Sequence, residues 1–147
     1  MEAFGTVSAV LSNKGFTVCS ISPEATVYEA IEIMAGKNVG SLLVMENDGL
    51  IGVVSERDYT RKIALKGKSS KQTPVREIML TPVISATPAH TIADAMRIMT
   101  EHRIRHLPVL DNGKVVGVVS IGDCVNWIIN TQTATINQME SYIRGEY

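Results

Sequence analysis

The chain has 147 residues, of which 45% are hydrophobic and 20% charged, which is the balance of a soluble globular domain. Its 14 basic and 15 acidic residues give a net charge of −1, which excludes the strongly basic surface of a general nucleic-acid binder. No apolar run is as long as the roughly eighteen residues of a membrane span, and no basic-then-apolar leader opens the sequence. We therefore expect a cytoplasmic protein with neither nucleic acid nor membrane as a partner.

Cysteine and histidine do not indicate a metal site. The 2 cysteines, Cys19 and Cys124, lie far apart and form no CxxC pair, and the 3 histidines accompany no ligand at zinc-site spacing. The sequence predicts neither a metal centre nor a catalytic nucleophile.

In chain order, the first predicted elements form a β-α-β-β-α unit over residues 6–66. An extended piece at residues 18–21 comes first. Thr26 then lies where an N-cap belongs, with the acidic Glu29 three residues later, and apolar residues recur at helical spacing beyond it. This pattern predicts a short strand followed by an amphipathic helix.

A hairpin and a second helix complete the unit. Two apolar runs, 42–45 and 50–54, flank the turn residues 47–49, which is a strong hairpin signal. The next helix starts at Ser55 and is expected to end near residue 66.

The same pattern then occurs a second time. Residues 67–74 form a polar linker, residues 75–130 form the second unit, and residues 131–147 continue as a helical tail. Shifting the chain by 65 residues aligns 18–58 with 83–123 without a gap, and 15 of the 41 aligned residues are identical. The repeat predicts a single α/β (α+β) domain in which two β-α-β-β-α copies pack with pseudo-two-fold symmetry and leave two clefts between them.

The most informative motif is Gly-Val-Val-Ser-x-x-Asp, present at 52–58 and again at 117–123. At a strand-to-helix junction, Ser-x-x-Asp is a capping box that satisfies free N–H groups of the first helical turn. The junction also suits a ligand, because glycine lets a ligand approach the backbone and a helix start favours anions. The motif is consistent with two interpretations. Its aspartate either only caps the helix, or caps the helix and also binds a ribose.

The order of elements, the apolar pattern and the motif that closes each copy resemble a tandem pair of CBS domains, the Bateman module, over roughly residues 6–130. The segments 54–59, 103–109 and 119–123 are most similar to small stand-alone CBS-pair proteins. The resemblance implies clefts that bind adenosine ligands such as AMP, ADP, ATP, NAD(H) or S-adenosylmethionine. It implies a regulatory module with no obligatory cofactor and no enzyme activity.

The resemblance also implies two nucleotide sites. In each, a serine and an aspartate hold the ribose, the other candidates line the adenine, and basic side chains reach the phosphates. The candidate residues are Val18, Gly40, Ser41, Ser55, Arg57, Asp58, Val83, Arg103, Ile104, Arg105, His106, Val118, Ser120 and Asp123. Where the second copy has Arg105 and His106, the first has Gly40 and Ser41, so the two sites are expected to be unequal.

Two other functions are consistent with the sequence. One is a ligand-free assembly scaffold. The other is a nucleotide-hydrolysing enzyme, for which His106 beside Asp123 is the only constellation to test, because the chain has no P-loop, GxSxG or HExxH motif. The resemblance further implies a homodimer and a regulated partner protein that the sequence does not identify. We expect the dimer interface to include Tyr59, Ile63, Val125 and Ile129.

Overall fold

The computed structural model describes residues 4–144, except for the side chains of residues 133–135 and 142. It is a mixed α+β fold in which one set of helices and strands occurs twice, as the repeat predicts. Among the described helices, none is long and apolar enough to cross a membrane. In chain order the elements are α1 (Val7–Lys14), β1 (Ser20–Ile21), α2 (Val27–Lys37), β2 (Ser41–Glu46), β3 (Gly49–Ser55), α3 (Glu56–Tyr59), a π-helical turn (Thr60–Ala64), a 3₁₀ turn (Val75–Glu77), α4 (Ile92–His102), β4 (His106–Asp111), β5 (Lys114–Ser120) and α5 (Ile121–Arg144).

The described residues form two compact units that are interleaved along the chain. The repeat-1 unit contains residues 17–85 and 112–116. The repeat-2 unit contains residues 4–16, 86–111 and 117–144. Helix α1 therefore belongs to the same unit as the second sequence repeat, whereas the polar linker belongs to the unit of the first.

The repeat-1 unit is built on a three-stranded sheet in the order β1-β2-β3. Strand β1 runs parallel to β2, and β2 runs antiparallel to β3 with Val44 opposite Gly52. Helix α2 begins with a complete capping box between Thr26 and Glu29 and ends at Asn38 in the left-handed conformation. The buried face of α2, formed by Val27, Ala30 and Met34, packs against apolar residues of the sheet and of the later turns. These residues are Leu42, Val44, Val54, Ile63, Val75 and Ile78.

The second sequence copy, most of which lies in the repeat-2 unit, has the same local design around a β4-β5 hairpin. Thr91 and Asp94 form the capping box of α4, and Arg103 takes the left-handed position that Asn38 takes in the first copy. Helix α1 completes this unit by burying Val7, Val10 and Leu11.

Three expectations need correction. Ile63, expected on an exposed dimer surface, is 1% exposed, because it packs in the core of the repeat-1 unit with Val75 and Ile78. The extended piece of the second copy is reduced to a single parallel bridge between Ala86 and Val109. In the first hairpin the left-handed residues are Asn47 and Asp48, and Gly49 already belongs to β3.

Other expectations are confirmed or lie partly outside the described residues. Helix α5 is continuous to Arg144, so the expected tail is helical that far, and residues 145–147 lie outside the described residues. The first copy's second helix ends in a turn near residue 66, as expected. Pseudo-two-fold packing of the two copies stays a prediction.

The glycine that the two motifs share has a packing role in each copy, and its role in ligand access stays a prediction. A Cβ on Gly52 would lie 2.6 Å from Sδ of Met79 and 3.2 Å from the carbonyl oxygen of Leu80. A Cβ on Gly117 would lie 2.7 Å from Cδ2 of Leu11. Each glycine therefore makes room for a segment of its own unit to cross the strand.

Candidate functional site

The junction between β3 and α3 is a complete capping box. The Asp58 N–H donates to Oγ of Ser55 at 3.2 Å, and the Ser55 N–H donates to Oδ2 of Asp58 at 2.9 Å. Oγ of Ser55 also donates to Oδ2 at 3.0 Å, while Nζ of Lys62, one turn along, lies 3.2 Å from Oδ1. Both carboxylate oxygens of Asp58 are thus engaged by neighbours on the same short segment.

The junction between β5 and α5 repeats this box but takes its cation from another helix. The Asp123 N–H donates to Oγ of Ser120 at 3.0 Å, and the Ser120 N–H donates to Oδ2 of Asp123 at 2.8 Å. Lys14, at the end of α1, places Nζ 2.5 Å from the same Oδ2 and 2.7 Å from the carbonyl oxygen of Val118. The ammonium group of Lys14 therefore ties α1 to the carboxylate that closes the second motif.

The charge state of Asp123 follows from this environment. Partial burial by itself raises the pKa of the carboxyl, but the hydrogen bonds from Lys14 and from the Ser120 backbone outweigh burial, so the pKa is lowered overall. The Asp123 side chain is 24% exposed. It is an ionised carboxylate within reach of solvent. Next to it, burial and the charge of Asp123 raise the pKa of the Cys124 thiol to about 11, so this thiol is protonated at neutral pH.

A pocket of about 250 Å³ adjoins Asp123 within the repeat-2 unit. Its walls come from one face of α1 and one face of α5, and its polar character comes from the ion pair and three amide side chains. The lining residues are Val10, Asn13, Lys14, Asp123, Asn126, Trp127 and Asn130. The indole of Trp127 is held by a hydrogen bond from Nε1 to the Phe4 carbonyl oxygen at 2.8 Å, so its ring is a fixed wall of the pocket.

Three further candidates lie at or beside the junction between β3 and α3. Ser41, the first residue of β2, is the register partner of Ser55. The carbonyl oxygen of Gly40 accepts the N–H of Glu56 at 3.1 Å, which fixes the start of α3. Arg57 is exposed on α3. Val18 and Val83, expected to contact adenine, are half-buried in the repeat-1 unit and lie outside its strands.

The repeat-2 candidates 103–106 form one segment, which contacts the second junction through Arg105. The carbonyl oxygen of Arg105 accepts the N–H of Ile121 at 3.0 Å, and His106 opens β4 as a half-buried residue. Ile104 donates its N–H to the Met99 carbonyl oxygen at 3.0 Å, directly after the left-handed Arg103. Arg103 and Arg105 are exposed. In both copies, the residue before the central strand accepts a hydrogen bond from the first residue of the helix that the motif begins.

Sequence reasoning missed Lys14 and the helix that carries it. The signals for α1 are present: Thr6 is an N-cap, Val10 and Leu11 follow Val7 at helical spacing, and Gly15 ends the helix. Nothing local to α1 indicates that Lys14 meets an aspartate 109 residues away. In the part of the chain that the structure describes, no group of three or more His, Cys, Asp or Glu side chains could hold a metal ion.

Comparison with known proteins identifies the family. The CBS domain family matches residues 13–65 and 75–130, which together make up more than half of the chain. The chain is a tandem pair of CBS domains and belongs to this family, as the repeat and the closing motifs indicate.

Two relatives and one solved structure support this assignment. The mitochondrial CBS domain-containing protein CBSX3 of Arabidopsis thaliana is 38% identical over 151 residues, which cover 97% of this chain and 73% of that protein. The CBS domain-containing protein YhcV of Bacillus subtilis is 36% identical over 84% of this chain and 89% of its own length. A candidate signal-transduction protein with CBS domains from Burkholderia ambifaria has 45% identity and a TM-score of 0.83, with 86% of this chain and 96% of that chain covered.

Proposed function

We propose that this chain is a regulatory module that binds an adenosine nucleotide (AMP, ADP, ATP or NADH) beside the junction between Ser120 and Asp123. The bound nucleotide changes how the module docks on a partner protein in the cytoplasm, and the module acts as a homodimer. The observation that carries the proposal is the ionised, partly exposed carboxylate of Asp123 at the edge of a polar pocket.

The carboxylate of Asp123 suits the two hydroxyls of a ribose. An ionised carboxylate has about four acceptor positions, and a vicinal diol can donate two hydrogen bonds to it. Within the described residues, the hydrogen bonds to Asp123 from Ser120 and Lys14 fall on Oδ2. Capping and ribose binding are therefore compatible at this residue.

Asp58 is the weaker candidate of the two. Its Oδ2 accepts from both the N–H and the hydroxyl of Ser55, and its Oδ1 pairs with Lys62. Ribose binding there has to compete with partners on both oxygens. We therefore assign the stronger site to the second copy, in line with the unequal sites expected from the sequence.

Lys14 has a direct role in this proposal. A ribose that binds Asp123 displaces the ammonium group, which is then free to meet a phosphate, and an ammonium group is a common phosphate ligand. The pocket, at about 250 Å³, is somewhat smaller than the roughly 300 Å³ of the smallest common ligand sites. It accommodates the ribose and one phosphate rather than a whole nucleotide.

The first test is a thermal-shift screen of the purified protein with AMP, ADP, ATP, NAD, NADH and S-adenosylmethionine. A ligand of the native state raises the unfolding midpoint. If none of the six does so, the ligand-free scaffold becomes the better interpretation. Release of phosphate from ATP by the purified protein would instead support the hydrolase.

The second test compares two capping aspartates of the repeat-2 unit. Asp123→Ala should weaken binding of the best ligand by about 10- to 150-fold, because a hydrogen-bonding charged group is lost. Asp94→Ala is the matched control, because Asp94 has the same capping geometry with Thr91 and is also an ionised carboxylate with a lowered pKa. Equal affinity of both variants and the parent in calorimetry would refute the site.

A further inference from the structure

Residues 61–71 contain five of the 14 basic residues of the chain and none of its 15 acidic residues. We call this stretch the basic segment; its cations are Arg61, Lys62, Lys66, Lys68 and Lys71. The rest of the chain has 9 basic and 15 acidic residues, which give a net charge of −6. The basic segment is therefore a local charge of +5 on an otherwise acidic molecule.

The fold that the two copies share does not require these charges. In the register that aligns 18–58 with 83–123, the basic segment corresponds to residues 126–136 of the second copy, and none of those residues is charged. The capping box that precedes the segment is present in both copies, at Ser55 and at Ser120. The second copy thus forms the same junction and the helix after it without any of the five cations.

Three of the five cations have no carboxylate partner in the part of the chain that the structure describes. They are Arg61, Lys66 and Lys68, and all three residues are exposed. Lys62, by contrast, pairs with Asp58 at 3.2 Å. Like charges close together repel each other, and an anionic partner removes this repulsion when it binds.

The backbone of the basic segment is held in place by hydrogen bonds. The Lys68 N–H donates to the carbonyl oxygen of Ile63 at 3.1 Å, and the Tyr28 N–H donates to that of Ser70 at 3.0 Å. Nζ of Lys71 lies 4.8 Å from the centre of the Tyr28 ring. Because the segment is already ordered, a partner that binds it does not bear the entropic cost of ordering it.

Leu65 gives the basic segment an apolar contact point. It is 76% exposed and directly precedes Lys66, in the turn that follows residues 60–64. Burial of an exposed leucine against a partner is favourable. A partner that matches both features combines carboxylates with an apolar side chain.

We propose that the basic segment is a docking surface for an acidic segment of a partner protein, in which an apolar side chain lies among Asp and Glu residues. The inference concerns the partner rather than the nucleotide. It does not depend on the nucleotide site, because the basic segment belongs to the repeat-1 unit and Asp123 to the repeat-2 unit.

The charge distribution favours a short acidic segment over a nucleic acid or an anionic membrane. The exposed residues Glu56 and Glu77 flank the basic segment along the chain, and the rest of the chain is net negative. At physiological salt, charges act over about 8 Å. A long or flat polyanion meets the surrounding carboxylates as well as the cations, whereas a short acidic segment can contact the cations alone.

The first experiment measures the binding of a fluorescein-labelled peptide of Asp and Glu residues with one central leucine, by fluorescence anisotropy with the full chain. We expect a dissociation constant of about 10–100 µM at about 50 mM salt. A chain with both Lys66→Glu and Lys68→Glu should bind at least about tenfold more weakly, because the variant repels the peptide.

The matched control is a chain with both Lys37→Glu and Lys114→Glu. These two lysines are also exposed in the repeat-1 unit and lie outside the basic segment, so the control changes the net charge by the same amount. It should change the affinity less than about threefold. No saturable binding by the parent at up to about 1 mM protein, or equal losses in the two double variants, overturns the proposal.

The second experiment distinguishes an acidic peptide from the other polyanions at the same salt concentration. The probes are phosphatidylcholine vesicles with about 20% phosphatidylserine and a single-stranded DNA oligonucleotide with the net charge of the peptide. We expect both to bind the parent more weakly than the peptide does. Tighter binding of either probe would show that the segment serves a membrane or a nucleic acid instead.

The third experiment tests the apolar contact and does not depend on charge reversal. Leu65→Ser should weaken binding of the peptide at least about threefold. A second peptide, with serine in place of its leucine, should bind the parent more weakly by a similar factor but bind Leu65→Ser as well as the first peptide does. If the change of peptide costs both proteins the same affinity, Leu65 does not contact the peptide and the proposed docking surface is wrong.

Discussion

At the scale of single residues, Asp123 has two roles that meet at one carboxylate oxygen, Oδ2. Its contact with the Ser120 N–H caps α5, as the local sequence pattern predicts. Its contact with Lys14 holds α1 and keeps the carboxylate ionised. In our proposal, a ribose replaces Lys14 while the cap remains in place. The capping interpretation and the binding interpretation are therefore not exclusive.

The lowered pKa of Asp123 predicts how the stability of the protein depends on pH. Because the native pKa lies below the unfolded value of about 3.9, the stabilisation is complete above that value and is lost as the pH falls through the native pKa. The parent should therefore be more stable than Asp123→Asn at neutral pH, and the difference should shrink below about pH 4. Urea unfolding of both proteins across this range measures it. A difference that is constant or grows in acid would contradict the assignment.

At the scale of elements, each central hairpin packs against a segment that precedes one of the two aligned stretches, residues 18–58 and 83–123. Helix α1 crosses β5 at Gly117, and the chain after the 3₁₀ turn crosses β3 at Gly52. The second crossing includes a hydrogen bond from the Leu80 N–H to the Val53 carbonyl oxygen at 2.8 Å. The contact at Gly52 therefore involves a backbone segment that a hydrogen bond holds in place, whereas the contact at Gly117 involves only the Leu11 side chain.

This difference predicts unequal costs for the same substitution. Gly52→Ala meets Met79 and the backbone oxygen of Leu80, which cannot move without breaking the bridge, and should lower the free energy of unfolding by about 2–3 kcal/mol. Gly117→Ala meets only the end of the flexible Leu11 side chain, and it should cost about 1 kcal/mol. Chemical denaturation without any ligand compares the two. Equal or reversed costs would show that the crossing segments do not set the need for glycine.

At the scale of the whole molecule, the sequence predicts what is local and repeated. The capping boxes at Thr26 and Thr91, the two hairpins and the two Ser-x-x-Asp junctions all follow from residues close together in the chain. What could not be predicted depends on long-range contacts. That α1 joins the repeat-2 unit, and that Lys14 therefore reaches Asp123, depends on packing between segments about 100 residues apart. The burial of Ile63 depends on packing with Val75 and Ile78, which come later in the chain.

The most direct test of the proposed function is a cycle that pairs a change in the protein with a change in the ligand. Calorimetry would measure AMP and 2′,3′-dideoxy-AMP binding to the parent and to Asp123→Ala. If Asp123 holds the ribose, loss of the two hydroxyls weakens binding to the parent by about 10-fold or more and leaves binding to Asp123→Ala nearly unchanged. If both proteins lose the same affinity when the hydroxyls are removed, the carboxylate of Asp123 does not bind the sugar and the account is wrong.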